Sequence, residues 1–480
     1  MWKAFINCWK VKELKNRILF TMGMLALCRL GANIPCPGID TDALALMFDR
    51  MAENSSGSGQ LSTMLNLFTG GAMQKFAVAG LGIMPYITAS IIFSLLGPVV
   101  PIIEKWKREG ESGYQKITQW TRYMTLVICA VQGTMFATAM ANPTMFGSAS
   151  AGLSLVNPLI STQWFIIQSV IVLTCGTMLL MWLGEQITEK GIGQGASLII
   201  TIGIITRLPD AVMLLFNKIL SNNEGGAGAE DITWVHGLIL LALFFVVTAA
   251  VVALTLGMRK IPIQYARARA GRTGGVDGGQ GQASFFPLKV NYAGVMPIIF
   301  ASTLLMVPGM LLGKLATVES LPEVVRNTCN SLAPLFAMGT GTYMAIYAAL
   351  ILFFCFFWVS SQFNPVKISD DLKRSSAYVP GYRPGNETAD YLNWTMTRVT
   401  TAGAIFLTLV ALMPMLFNSM IGVPYLVAGF FGGTSMLIMV GVMLDTMRQI
   451  EVYLVSHGGY ESFMKGRVRG RQGASPIAGS

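Results

Sequence analysis

The chain is poor in the residues from which active sites are usually assembled. Its two histidines, His236 and His457, are far apart and form no H-E-x-x-H pair, which removes the common helical zinc site. There is no G-x-x-x-x-G-K-[ST] phosphate loop and no G-x-S-x-G nucleophile elbow. Seven cysteines (Cys8, Cys28, Cys36, Cys129, Cys175, Cys329, Cys355) lie mostly inside or beside apolar stretches without C-x-x-C spacing. That argues against a disulfide framework or a cysteine zinc site. The expectation is a protein with no catalytic residues, no metal and no cofactor. Charge is also scarce. Only 12% of the 480 residues are Asp, Glu, Lys or Arg, against 53% hydrophobic, whereas soluble domains carry about 25% charged residues. This is the composition of an all-α polytopic membrane protein. Carboxylates are nearly absent from the depths of the apolar stretches, with Asp210 and Asp445 close to their ends. Ion-coupled carriers usually hold ionisable groups at the bilayer midplane, so a proton- or sodium-driven carrier is disfavoured. An inverted-repeat secondary transporter of a small solute stays as the rival reading.

What is abundant is long hydrophobic runs. Ten stretches fit a membrane span, beginning near Ile18, Phe76, Tyr123, Trp164, Ala196, Trp234, Asn291, Met338, Val399 and Val423. The fifth is the weakest, with 16 residues between Lys190 and Arg207. Of the 34 Lys and Arg residues, 27 fall in one alternate set of flanks, and only Arg50, Lys218, Lys314 and Arg326 in the other. Cytoplasmic flanks attract such an excess, which puts both termini in the cytoplasm and favours an even number of spans. Arg29, near the end of the first span, is expected to snorkel. The first apolar stretch has no convincing cleavage site after it and reads as an uncleaved span.

The chain divides at a polar glycine-rich linker, 221–231. Residues 1–16 form an amphipathic opening segment, 17–220 a first half of five spans, 232–446 a second half of five, and 447–480 a basic tail. Five is odd, so the halves cross in opposite senses, as in the inverted repeats of transport proteins. Within the first half, T-M-L-N-L-F-T-G-G from Thr63 is too short to cross ~30 Å of hydrocarbon, and Gly70-Gly71 interrupts it before an apolar run from Phe76 to Leu96. Such a stub is either a re-entrant loop that pads a bundle or a movable plug, about 61–72, tethered to a pore-lining helix. In the second half two cytoplasmic loops, about 257–290 and 364–398, are longer than turns require. Basic loops of this kind control topology and touch lipid head groups. Yet Pro380-Gly381-Tyr382-Arg383-Pro384-Gly385 brackets one arginine between two Pro-Gly turns, which favours docking of a partner.

Several of these stretches resemble one family. G-I-M-P-Y-I-T-A-S-I-I in span two, M-W-L-G-E-Q-I-T-E-K-G-I-G-Q-G before span five, P-L-K-V-N-Y-A-G-V-M-P-I-I-F-A-S at span seven, V-P-G-Y-R-P-G before span nine and F-G-G-T-S-M-L-I near span ten are similar to the SecY family, in that family's order. The resemblance implies ten transmembrane helices in two inverted five-helix halves, with a central hourglass pore, a plug helix and a lateral gate between spans two and seven. It implies a protein-conducting channel that passes unfolded secretory proteins across, and releases membrane segments laterally into, the bacterial cytoplasmic (inner) membrane. By the same resemblance Ile83, Ile87, Ala196, Ile200, Ile299 and Ile438 form an apolar pore ring. Leu65, Asn66, Leu67, Phe68, Gly70 and Gly71 belong to the plug. Thr88, Gln132 and Asn291 form a polar cluster at the gate, and Arg272 and Arg383 engage cytoplasmic partners. Ala196 departs from the larger aliphatic residue usual in relatives, and Met296 is a candidate to fill the space. The implied partners are small membrane subunits resembling SecE and SecG, a motor ATPase resembling SecA, the ribosome, signal peptides and translocating polypeptides, and the lipid bilayer.

Overall fold

A computed structural model of the chain describes residues 11–53, 69–97, 100–141, 155–157, 160–221, 234–265, 284–317, 323–336, 340–421 and 425–456. In the first half the helices are α1 (Lys12–Asn33), α2 (Thr41–Glu53), α3 (Met84–Leu96), α4 (Pro101–Arg108), α5 (Glu111–Ala141), α6 (Thr162–Lys190), α7 (Gly195–Thr206) and α8 (Leu208–Ser221). The second half begins with α9 (Trp234–Leu256) and strands β1 (Met258–Tyr265) and β2 (Ser284–Lys289). It continues with α10 (Met296–Thr317), α11 (Glu323–Leu332), α12 (Gly341–Gln362) and α13 (Pro365–Arg374). It closes with β3 (Ala377–Tyr378), α14 (Asn386–Ile421), α15 (Tyr425–Gly432) and α16 (Thr434–Ser456).

Among the described residues seven helical runs are long and apolar enough to cross a membrane, and eight if the bent pair α3 and α4 is one span. Of the ten stretches in the sequence, the two outside that count are α1 and α10. α1 carries Lys12, Glu13, Lys15, Arg17 and Arg29 among its 22 residues. α10 runs from Met296 to Thr317 with Pro308 inside it, and its fully described apolar run is Met296–Leu305.

The second stretch differs from expectation. Helix does not start at Phe76 but at Met84, with Pro85 in its first turn, where a missing N–H costs nothing. Residues 71–83 are irregular and lie against the end of α1. Cys36 N–H donates to the Phe76 carbonyl at 2.9 Å, Val78 N–H to Ile34 at 2.9 Å and Ala79 N–H to Gly31 at 3.2 Å. Non-helical backbone at membrane depth is tolerated where protein buries it and supplies such partners. Phe76, fully buried, stacks within 6.0 Å of Phe165 and 5.1 Å of Phe136.

Two further departures have local causes. Thr41–Glu53, outside the ten apolar stretches, forms α2, whose Leu44, Met47 and Phe48 are buried in one cluster with Phe76 and Phe165. The fifth span is longer than the sequence suggests, because α7 and α8 together make an apolar run from Gly195 to Phe216. Arg207 and Asp210 therefore lie inside it, paired at 2.8 Å.

The protein is mostly helical, with a small antiparallel sheet of order β2-β1-β3. Met258 pairs with Lys289 and Ile263 with Ser284, while Gln264 pairs with Tyr378 and Tyr265 with Ala377. The two long loops of the second half are thus joined by backbone hydrogen bonds. Ile261, Leu288 and Val379 from this sheet region are buried with Val359 of α12, Phe363 just after it, and Leu392 and Met396 of α14.

Candidate functional site

One buried apolar cluster draws side chains from both halves. Ile83, at the N-cap of α3, and Ile87 in its first turn meet Ile199 and Ile200 of α7, Ile299 of α10 and Ile438 of α16. Each is less than one-tenth exposed. Ala196 and Met296 are partly buried against the same cluster. The structure therefore brings together all six residues expected in the pore ring. Four helices converge on one knot of branched aliphatic side chains, which has no polar atom to ligate a hydrated ion.

Glycines let these helices approach. A Cβ on Gly195 would run into the backbone carbonyl of Gly184, and one on Gly184 would touch Ile83 and Ile199. The glycine-rich stretch between α6 and α7 is thus a close-packing device that delivers Ala196 and Ile200 to the cluster. It is held by side chains that sequence reading did not single out. Thr21 Oγ1 of α1 accepts from Ile192 N–H at 3.1 Å, and Gln449 Oε1 of α16 accepts from Gly193 N–H at 2.8 Å. Nothing in the sequence marks either residue, because each acts on a loop more than 170 positions away.

Beside the cluster lies the glycine hinge. Gly70 and Gly71 have φ of +64° and +89°, a region that side-chain-bearing residues disfavour. Arg29 does not snorkel. It is turned onto the hinge, and its Nη1 donates to the Gly70 carbonyl at 3.2 Å. Arg207 Nη2 donates to Gln74 Oε1 at 2.6 Å. Leu65, Asn66, Leu67 and Phe68 of the expected plug lie outside the described residues, as does Arg272.

The expected polar trio is not joined among the described residues. Thr88 Oγ1 donates to the Met84 carbonyl of its own helix at 3.0 Å, while Gln132 and Asn291 are half-buried without a hydrogen bond to it. The contact between halves is uneven. α7 packs along α16, and α8 along α15, whereas α3 packs on α5 and makes no comparable contact with α10. On the closely packed side Tyr453 Oη also donates to Glu13 Oε2 at 2.7 Å, bridging the last and first helices.

Arg383 is exposed, and its backbone is fixed at both ends. Its N–H donates to Glu387 Oε2 at 3.2 Å and its carbonyl accepts from Thr388 Oγ1 at 2.7 Å. Ser369 Oγ holds the Gly385 carbonyl at 2.6 Å, and Tyr382 stacks on Tyr391 at 4.2 Å. Among the described residues the guanidinium enters no ion pair. A rigid turn therefore presents one free cation. No group of three or more potential metal ligands occurs among the described residues.

The SecY family profile matches residues 77–447. The chain is 41% identical over 466 residues to the protein translocase subunit SecY of Chlamydia trachomatis serovar D, covering 96% of this chain and 98% of that one. It is 40% identical over 456 residues to the subunit of the same name from Escherichia coli K12, covering 94% of each. Among solved structures it resembles a protein-conducting channel (TM-score 0.60, 17% identity, 92% of both chains). It also resembles canine Sec61 from a ribosome–channel complex of the endoplasmic reticulum (TM-score 0.56, 16% identity, 92% of both chains).

Proposed function

The chain belongs to the SecY family, hence it is a protein-conducting channel of the translocase and not an enzyme, and on that premise we propose how its residues conduct and gate. Ten spans in two inverted halves lie in the bacterial cytoplasmic membrane with both termini in the cytoplasm. Unfolded secretory chains pass through the ring of Ile83, Ile87, Ala196, Ile200, Ile299 and Ile438, and membrane segments leave sideways between α3 and α10. An apolar ring suits this task. It conforms around an extended polypeptide of any sequence, yet opposes ion leak by dewetting and by offering no ligand to replace hydration. The segment about 61–72 acts as the plug, hinged at Gly70-Gly71, and Thr88, Gln132 and Asn291 keep the α3–α10 seam weak enough for a signal peptide to enter. Polar side chains that make no bond across the seam at rest, among the described residues, interrupt its apolar packing, which fits a seam that must part.

Energy comes from outside the chain. Arg383 and Arg272 dock a motor ATPase resembling SecA or a ribosome, in keeping with the ribosome complex of the Sec61 relative, and small subunits resembling SecE and SecG complete the channel. The observation that carries the reading is the convergence of the predicted ring residues, drawn from both halves, on one buried cluster. Ile87→Gly and Ile438→Gly are expected to raise ion conductance of the resting channel in planar bilayers, with Ile92→Gly, outside the cluster, as control. Equal leak from all three variants would reduce these isoleucines to ordinary packing.

A further inference from the structure

Cations inside a membrane protein need partners, and those at the glycine hinge have unusual ones. Arg29 of α1 and Arg207, between α7 and α8, reach the hinge from separate spans. A Cβ on Gly70 would lie 2.5 Å from Arg29 Nη1, and a Cβ on Gly71 would lie 2.5 Å from Arg207 Nη2. The two guanidiniums therefore rest against consecutive residues of the same turn. The hinge also adjoins the ring, because one small cavity is lined by Arg29, Thr69, Ile83, Ile199 and Ile200. We propose that Arg29 and Arg207 are positioning residues for gating: together they clamp the Gly70–Gly71 hinge beside the ring and set how readily the channel opens.

The contacts have the strength and the incompleteness that a releasable clamp requires. Arg29 bonds a neutral backbone carbonyl, and Arg207 bonds the neutral amide of Gln74. The carboxylate paired with Arg207 is Asp210, three residues away on the same span. That pair stays intact when the hinge moves, so it opposes nothing. Among the described residues Arg207 Nε is buried with no hydrogen-bond partner, and an unpaired buried donor is unfavourable. The clamp thus stops short of full satisfaction. The glycine pair has a second reason to be glycine beyond its dihedral angles, since any side chain at 70 or 71 would displace a guanidinium. Lys75, the third cation nearby, donates to Asn33 Oδ1 at 2.8 Å in an exposed position. Its side chain ties the chain beyond the hinge to the end of α1, and its one bond to the glycine pair is from the backbone, Lys75 N–H to the Gly71 carbonyl at 3.3 Å, which Lys75→Gln leaves in place.

The inference rests on the plug reading, and the test separates the two. Resting conductance in planar bilayers and thermal melting are measured for Arg29→Gln, Arg207→Gln, Arg29→Lys, Gln74→Glu, Lys75→Gln and a deletion of residues 61–70. The deletion is expected to leak. Arg29→Gln and Arg207→Gln should each raise the resting open fraction about tenfold, which is ~1.4 kcal/mol, at a melting temperature close to that of the parent. Arg29→Lys, which keeps a charged donor, should restore most of the closure. Gln74→Glu should act oppositely, because a charged acceptor strengthens the Arg207 bond, and should demand a stronger signal sequence for opening. Should the deletion leak while both Gln variants match Lys75→Gln, the clamp is wrong and the plug stands. Should the deletion itself not leak, the plug reading fails and the clamp with it.

Discussion

The two seams between the halves are built from different materials. Along one, α7 lies on α16 and α8 on α15, and a side-chain to backbone bond from Gln449 crosses to the loop that leads into α7 while Tyr453 bonds Glu13 of α1. Along the other, Ile83 and Ile87 of α3 and Ile299 of α10 belong to the common apolar cluster, and among the described residues the polar side chains expected there make no bond across it. A seam held by polar bonds fixes a register, because each bond has one geometry. A seam held by aliphatic contact alone can part and close again, since hydrocarbon tails or an apolar signal segment replace its contacts at little cost. One side of the molecule is therefore suited to be a hinge and the other to be an opening.

Locking each seam in turn is the most severe way to test that contrast. Cysteines at Thr88 and Asn291, joined by a bifunctional maleimide, should abolish translocation of a signal-bearing precursor in proteoliposomes. Cysteines at Glu13 and Tyr453, whose side chains already touch at 2.7 Å, should crosslink with transport nearly unchanged. If the second crosslink blocks transport as fully as the first, the assignment of hinge and opening is wrong. A smaller effect is expected from Gln449→Leu, which strands the Gly193 N–H. Leaving one such donor unpaired costs about 1–3 kcal/mol, so the melting temperature should fall by a few degrees while resting conductance stays low. A large leak without a stability loss would make Gln449 part of the gate. The smallest effect concerns the base of the glycine hinge. Cys36 bonds through its N–H to Phe76, and burial pushes its thiol up to about 12. It should resist maleimide at pH 7 both at rest and with a chain trapped in the channel. Labelling that appears only with the trapped chain would move the hinge from Gly70–Gly71 to beyond Phe76.

How much of this could be read from the sequence depends on the range of the interaction. Apolar runs are local, and all ten stretches carry helix in the structure. Ile83 and Ile87 share a face because four residues make about one turn, and the other ring positions followed from the motifs around them. The start of α3 was not legible, because Gly80, Gly82 and Pro85 are ambiguous within an apolar run until contacts with α1 decide where helix begins. α2 was hidden because Asp42, Asp49, Arg50 and Glu53 give it a polar look, although one face buries Leu44, Met47 and Phe48. The bond from Gln449 to Gly193 spans 256 positions and leaves no local pattern. Arg207 bounds the fifth stretch in the sequence, and its bond to Gln74, 133 positions away, is equally without a local pattern.

The three-stranded sheet has a mechanical consequence. β3 lies in the loop that carries Arg383, β1 follows directly on α9, and β2 runs into α10 after Val290–Val295, with the base of the hairpin closed by Val290 N–H to the Gly257 carbonyl at 2.9 Å. Backbone hydrogen bonds make these strands stiff along their length, so a push on the turn at Arg383 is not absorbed there. It arrives as torque on the α9–α10 pair, and α10 carries Ile299. A displacement of that turn is therefore coupled, through paired strands and not through side-chain packing alone, to the helix that carries Ile299 of the buried cluster.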